Sequence, residues 1–207
     1  RINSITEPEL AVRLYLVADN DELIFLNGST DPYSNNNTSA MLGENQTTIN
    51  SIIGSSNYDI GHVFSTGGGG VAYLSSVCTS FKAGGVSGLP APIGDPFDVD
   101  YVGHEMGHQF GCNHTFNNSC SGNRSSADAY EPGSGSTIMS YSGICAPNLQ
   151  NLSDDVYHVH SQIEASDYLH SGFGNTCATQ VSSGNSAPSV TVGASALSIP
   201  ASTPFEL

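Results

Sequence analysis

Residues 104–114 read His-Glu-Met-Gly-His-Gln-Phe-Gly-Cys-Asn-His, which has the form H-E-x-x-H-x-x-G-x-x-H. On a helix, His104 and His108 are four apart and project from one face, so both imidazoles can reach one ion. Glu105 stands beside them with its carboxylate available to a water on that ion. Gly111 has no side chain, so the chain can leave the helix there in a left-handed turn. That turn can bring His114 back as a third ligand. Three protein ligands and an open fourth position are the donor set of a catalytic zinc site rather than a structural one. The short H-E-x-x-H is weak evidence, whereas the extended form fixes five positions in eleven and is specific.

Composition bounds what such a site can serve. The chain has 207 residues, with 4 Lys+Arg against 19 Asp+Glu and a formal net charge of -15. Its length suits one catalytic domain plus a short appendage. Nucleic-acid binding is disfavoured because little here could neutralise phosphates, and anionic membranes are disfavoured for the same reason. The acidity suits a soluble secreted protein. It also makes Ca2+ a second candidate cation, with Asp95, Asp98 and Asp100, or Asp154 and Asp155, as oxygen ligands. No stretch reaches the roughly 20 apolar residues that span a bilayer. Residues 1–20 lack a signal-peptide pattern, so a secreted protein would be present here in processed or trimmed form.

The pattern along the chain suggests an α/β (α+β) domain. Residues 10–18 form an apolar β-type run, and residues 23–26 a shorter one. Residues 27–39 are rich in Asn, Ser, Asp and Gly and read as a surface loop. Residues 45–53 carry helical spacing stopped by Gly54. Strands are expected at 59–65 and 71–77, flanking Gly67-Gly68-Gly69-Gly70. A phosphate-loop reading of these glycines fails, because no Lys-Ser/Thr or helix follows; close backbone approach beside a cleft is the better reading. Residues 83–97 read as irregular, and Asp98 as the N-cap of a helix reaching Gln109. A helix is expected over 154–169, with Val156, Val159, Ile163 and Leu169 as its apolar stripe. Residues 1–180 thus form the catalytic domain. Residues 181–207 read as a linker and the start of a truncated β-rich module, with a strand over 189–199.

Five cysteines imply an oxidising compartment. Cys78 with Cys177 would tie the last helix to the sheet, and Cys120 with Cys145 would close the loop between them, although sequence alone leaves the connectivity open. Cys112 then reads as a buried free thiol. His62, His158, His160 and His170 lack partner spacing and read as surface or satisfied core histidines.

Downstream of the histidine motif lie Thr137-Ile138-Met139-Ser140-Tyr141. With the run Tyr130–Met139 and with Gly143-Ile144-Cys145 and Asn148-Leu149-Gln150, the chain resembles the metzincin zinc metallopeptidases. It is closest to the bacterial reprolysin-like (adamalysin-related) group, over most of residues 10–177. The resemblance makes Met139 the Met-turn methionine beneath the zinc ligands. It implies a five-stranded, mostly parallel twisted sheet packed on the zinc helix and other helices, with a small irregular C-terminal subdomain. It supports the Cys78–Cys177 pairing. It also implies a zinc endopeptidase acting on protein or peptide substrates, with Glu105 as general base. Tyr141 matches a tyrosine that astacin-like and pappalysin-like relatives place near zinc.

One departure stands out. The family begins with a strand and a long helix before the segment matching residues 10–18, and here nine residues precede it. If the usual strand order holds, the missing strand is central, and a separate N-terminal fragment or propeptide becomes an expected partner of an otherwise monomeric protein. Two rival readings are a catalytically silent zinc-containing adhesion module and a pappalysin-like peptidase.

Overall fold

A stretch that begins and ends in glycine carries the middle of the sheet. In the computed structural model, which describes residues 1–186, 188, 189 and 191, Gly85–Gly88 forms β3 and is buried along its length. β3 pairs in parallel with β1 (Val63–Ser65) and antiparallel with β2 (Gly69–Ala72), giving the order β1-β3-β2. The glycines are required by what packs on them. A Cβ on Gly85 would stand 2.3 Å from Gln109 Oε1 and 2.4 Å from His62 Nδ1, and one on Gly88 would stand 2.0 Å from Gly67 O. Backbone that meets its neighbours directly leaves no room for the branched residues by which strands are usually recognised. The reading of 83–97 as irregular is corrected on this point. Similarly, the glycine run is itself partly strand, and β2 ends at Ala72 rather than starting at Val71.

Among the described residues the sheet has three strands, not the five that the resemblance implies, and residues 10–18 are not one of them. Helix α1 (Asn3–Leu10) ends at Ala11 with φ 52, and residues 12–17 run on without a strand partner. The Asn3 side chain takes both backbone groups of Leu14, donating to its carbonyl and accepting its N–H, each at 2.8 Å. With no neighbouring strand on which to bury a face, Tyr15 and Leu16 are 76% and 85% exposed. The second run fares likewise: Asn20–Leu23 is a 3-10 turn and Ile24 and Leu26 face solvent. Between this extended segment and the free edge of β1 lies an open cavity of about 850 Å³ lined by apolar side chains including Leu14, Leu16, Val17, Ile60 and Val63.

Helix α2 (Thr38–Ile52) begins where the Asn37 side chain accepts the Ala40 N–H and stops before Gly54 at φ 88. It packs Met41 and Leu42 against Val86 of β3. The helix expected to start at Asp98 has three parts: α3 (Asp95–Phe97), a π-helical stretch Asp98–Gly103 and α4 (His104–Gln109). Asp98 is inside this helical run, at the C-cap of α3, and is not the N-cap of a helix.

Helix α5 (Val159–Ser166) is followed by a π turn, Asp167–Ser171. Its packed face is Ser161, Ala165 and Leu169, while Val156, Val159 and Ile163 are exposed. The expected stripe therefore points outward except at Leu169. Small residues win because they let the core come close: the Cys112 thiol donates to Ser161 O. Cys112 is free and fully buried, in a core with Ile5, Val99, Phe110, Met139 and Tyr157. Cys78 is bonded to Cys177, and Cys120 to Cys145. The strand read at 189–199 lies almost entirely outside the described residues, as does most of the 181–207 module.

Candidate metal centre

His104, His108 and His114 meet at one point, with the Nε2 atoms of His104 and His108 3.2 and 3.1 Å from that of His114. Each ring's other nitrogen faces a backbone carbonyl at 2.7 Å: Ile138 for His104, Cys112 for His108 and Asn123 for His114. A carbonyl only accepts, so each Nδ1 carries the proton and each Nε2 presents a bare lone pair. Three lone pairs aimed at one another repel unless a cation sits among them. Burial first, and the neighbouring imidazoles second, hold His104 well below the ordinary histidine value and His108 down to about 4; burial also lowers His114. All three are neutral donors at pH 7, as a metal requires. A set of three imidazoles fits zinc, which takes a fourth ligand from outside the protein in a catalytic site.

The local fold explains the convergence. Gly111 adopts φ +103 after α4, turning the chain so that His114 comes back toward the helix. Met139 is fully buried under the helix turn between the two helical histidines. A Cβ on Gly107 would fall 2.3 Å from its sulfur, so glycine there lets the methionine reach the backbone. The carbonyl of Met139 accepts the N–H of Thr115, beside the third histidine.

Glu105 is buried, and its Oε2 has no hydrogen-bond partner. Burial raises its carboxyl to about 8; a cation beside it acts in the opposite direction. Its Oε1 lies against β2, where a Cβ on Gly70 would come within 2.3 Å. This glycine of the run thus makes room for the carboxylate. Tyr141 stacks on Phe116 with ring centroids 4.4 Å apart and lies 4.7 Å from His114 and 5.7 Å from His104. The structure therefore brings all five predicted residues of the centre, and Met139, into one place.

Glu131 is the residue whose role the motif reading missed. Its carboxylate accepts the hydroxyls of Thr115 and Thr137 and the N–H groups of Ser136 and Thr137. It thereby ties the segment carrying His114 to the one carrying Met139. Burial alone would raise its pKa, but these four donors outweigh it and the carboxyl is held low. A signal was present in the Tyr130–Met139 run, but an acid that binds only local donors has no recognisable spacing. Because the folded value is depressed, the stability from Glu131 is present above the ordinary carboxylate value and lost as pH falls through the folded one. Glu131→Gln is expected to cost about 3 kcal/mol at pH 7, with the difference vanishing in strong acid. Urea denaturation of both proteins across pH checks this; equal midpoints at pH 7 would refute it.

The calcium expectation finds no support. Arg1 holds Asp95 at 2.8 Å and Asp155 at 2.6 Å, Asp100 accepts the Ser153 N–H, and no three of the five carboxylates gather among the described residues. His62 is a satisfied core histidine between Gln109 and Ser87, at 2.8 and 2.9 Å; His170 faces Leu10 O and His158 caps α5. His160 departs from that reading, because it has Asp128 and Glu164 as close neighbours.

A mixed α/β domain with two histidines on a helix and a third returned beside them, closed below by a buried methionine, is a metzincin-like domain. The family model of metallo-peptidase family M12B, reprolysin-like, matches residues 1–187, and the chain belongs to that family. No curated protein matches it. Among the described residues no helix is long and apolar enough to cross a membrane.

Proposed function

We propose that this chain is a secreted zinc-dependent endopeptidase, with His104, His108 and His114 as zinc ligands and Glu105 as general base. The observation that carries this reading is the convergence of three bare Nε2 atoms beside a buried carboxylate that lacks a partner. Zinc held there would supply Lewis acidity toward a water and a peptide carbonyl. Glu105 takes the proton of the attacking water and returns it to the leaving amine. Gly70 and the buried flank of α4 keep that carboxylate in one place and shield it from bulk water.

Tyr141 donates its hydroxyl to the developing oxyanion in this scheme. Tyr141→Phe is expected to lower kcat about 100- to 1,000-fold with little change in KM; an unchanged kcat would remove the residue from the mechanism. A cavity of about 410 Å³ beside Tyr141, lined by Ser119, Ser121, Asn123 and Ile144, has no charged wall and suits an uncharged substrate side chain. Two disulfides support an extracellular setting.

The cavity between residues 12–17 and β1 supports an additional partner, an extended apolar segment seated as a strand, from a separate or a covalently joined fragment. The alternative of a silent zinc-containing binding module is weakened by the intact Glu105. Cleavage of a denatured protein, with and without a zinc chelator, tests the whole reading. A folded, zinc-loaded protein that cleaves nothing would favour the binding module.

A further inference from the structure

A second group of metal-ligating side chains lies outside the histidine triad. His160 and Glu164 are four apart on α5, and so share one face. Asp128 reaches them from the loop before Glu131. His160 Nε2 is 2.8 Å from Asp128 Oδ1 and 3.8 Å from Glu164 Oε1, and the three ligand atoms all lie within 4.8 Å of one another. Ligands about 2.0–2.2 Å from a tetrahedral zinc ion stand roughly 3.3–3.5 Å apart, so the group needs shifts of only about an ångström to close on an ion.

We propose that Asp128, His160 and Glu164 form a second site for a divalent transition-metal ion of the zinc type, with a structural role. Charge is the first argument. Two carboxylates face one imidazole, and no Lys or Arg pairs with either among the described residues. One imidazolium cancels at most one of the two negative charges, whereas a divalent ion cancels both.

The second argument is that both carboxylates are held by hydrogen bonds from neighbouring residues, as the ligands of a metal usually are. Asp128 Oδ2 accepts the Ser125 hydroxyl. Both oxygens of Glu164 are occupied by Asn113, one by its backbone N–H and one by its side-chain amide. The Tyr130 ring covers His160 at 4.4 Å between centroids. The His160, Asp128 and Glu164 side chains are 22%, 14% and 15% exposed, so they are largely enclosed but reachable from solvent. One nitrogen and two carboxylates suit zinc better than calcium, which takes six to eight oxygens.

An ion there clamps α5 to the 123–131 loop. Both of its flanks lead to the third histidine of the triad. Glu164 holds Asn113, the residue before His114, and the same loop supplies the Asn123 carbonyl that orients the His114 ring. The proposal does not depend on peptidase activity.

The test is zinc stoichiometry of the metal-free chain, by titration against a chromophoric chelator. Wild type is expected to bind two ions. His160→Ala and the gentler Asp128→Asn are each expected to bind one. His104→Ala/His108→Ala is also expected to bind one, and that ion should be lost when His160→Ala is added. A single ion in wild type, with the count and affinity unchanged in both His160→Ala and Asp128→Asn, would overturn the second site. A failure of the triad would show separately, as a count that His104→Ala/His108→Ala leaves unchanged.

Discussion

Glu105→Gln is expected to lower peptide-bond cleavage on the order of 10³-fold while leaving zinc content and thermal stability close to wild type. The replacement is nearly isosteric, so the contact with the backbone of Gly70 survives. The charge and the proton acceptor are what disappear. The three Nε2 donors do not include Glu105, and their orienting carbonyls belong to Ile138, Cys112 and Asn123. Metal binding and catalysis should therefore separate cleanly in this variant. Metal analysis alongside a cleavage assay makes the distinction. Undiminished cleavage would end the general-base assignment, and loss of zinc would mean that the carboxylate holds the ion rather than the water.

The convergence of the candidate metal centre was legible because such chemistry demands spacing. Two histidines must be one helical turn apart, and a chain that returns a third needs a residue free to take φ +103, here Gly111. The expected free thiol was legible by a similar elimination: Cys112 is the residue left after both disulfides. Most of the sheet was less legible. β3 is Gly-Val-Ser-Gly, with glycines where Gln109, His62 and the Gly67 carbonyl press on the backbone, and composition reads such a stretch as a turn. Residues 10–18 show the opposite failure. Their apolar run is that of a strand, but a strand exists only through its neighbours, and here no strand lies beside them among the described residues, while the Asn3 side chain takes the backbone of Leu14. On α5 the hydrophobic stripe was misread because Ser161 and Ala165, not Val159 and Ile163, lie where the core approaches most closely. Glu131 and the His160 group were invisible for a different reason. Their partners come from segments brought together only by the fold.

An extended apolar segment fused ahead of Arg1 through a flexible linker is expected to raise Tm by at least about 5 °C, some 2 kcal/mol for a chain of this size. The physical case rests on two incomplete surfaces that face one cavity. β1 pairs with β3 along one edge only, so its other edge presents N–H and C=O groups with no strand beside them. Opposite it, residues 12–17 hold an extended course with Leu14, Leu16 and Val17 lining the same space of about 850 Å³. A strand laid between them would gain ladder hydrogen bonds on both sides. It would also bury the aliphatic side chains now in contact with water, each worth about 1.5–3 kcal/mol before the cost of ordering the segment. Alternating valine and threonine would suit the insert. The control is the same insert with proline at alternate positions, which cannot donate to a ladder. Amide exchange should slow at Val63–Ser65 only with the pairing-competent insert. Equal Tm values for the two fusions, or unprotected amides on β1, would show that the cavity is not a strand seat. The centre and the seat are close, since Met106, two residues from His104 and from His108, lines the cavity wall. A filled seat would therefore bear on α4 through Met106, and the same fusion should raise cleavage at temperatures where the unfused chain has begun to unfold.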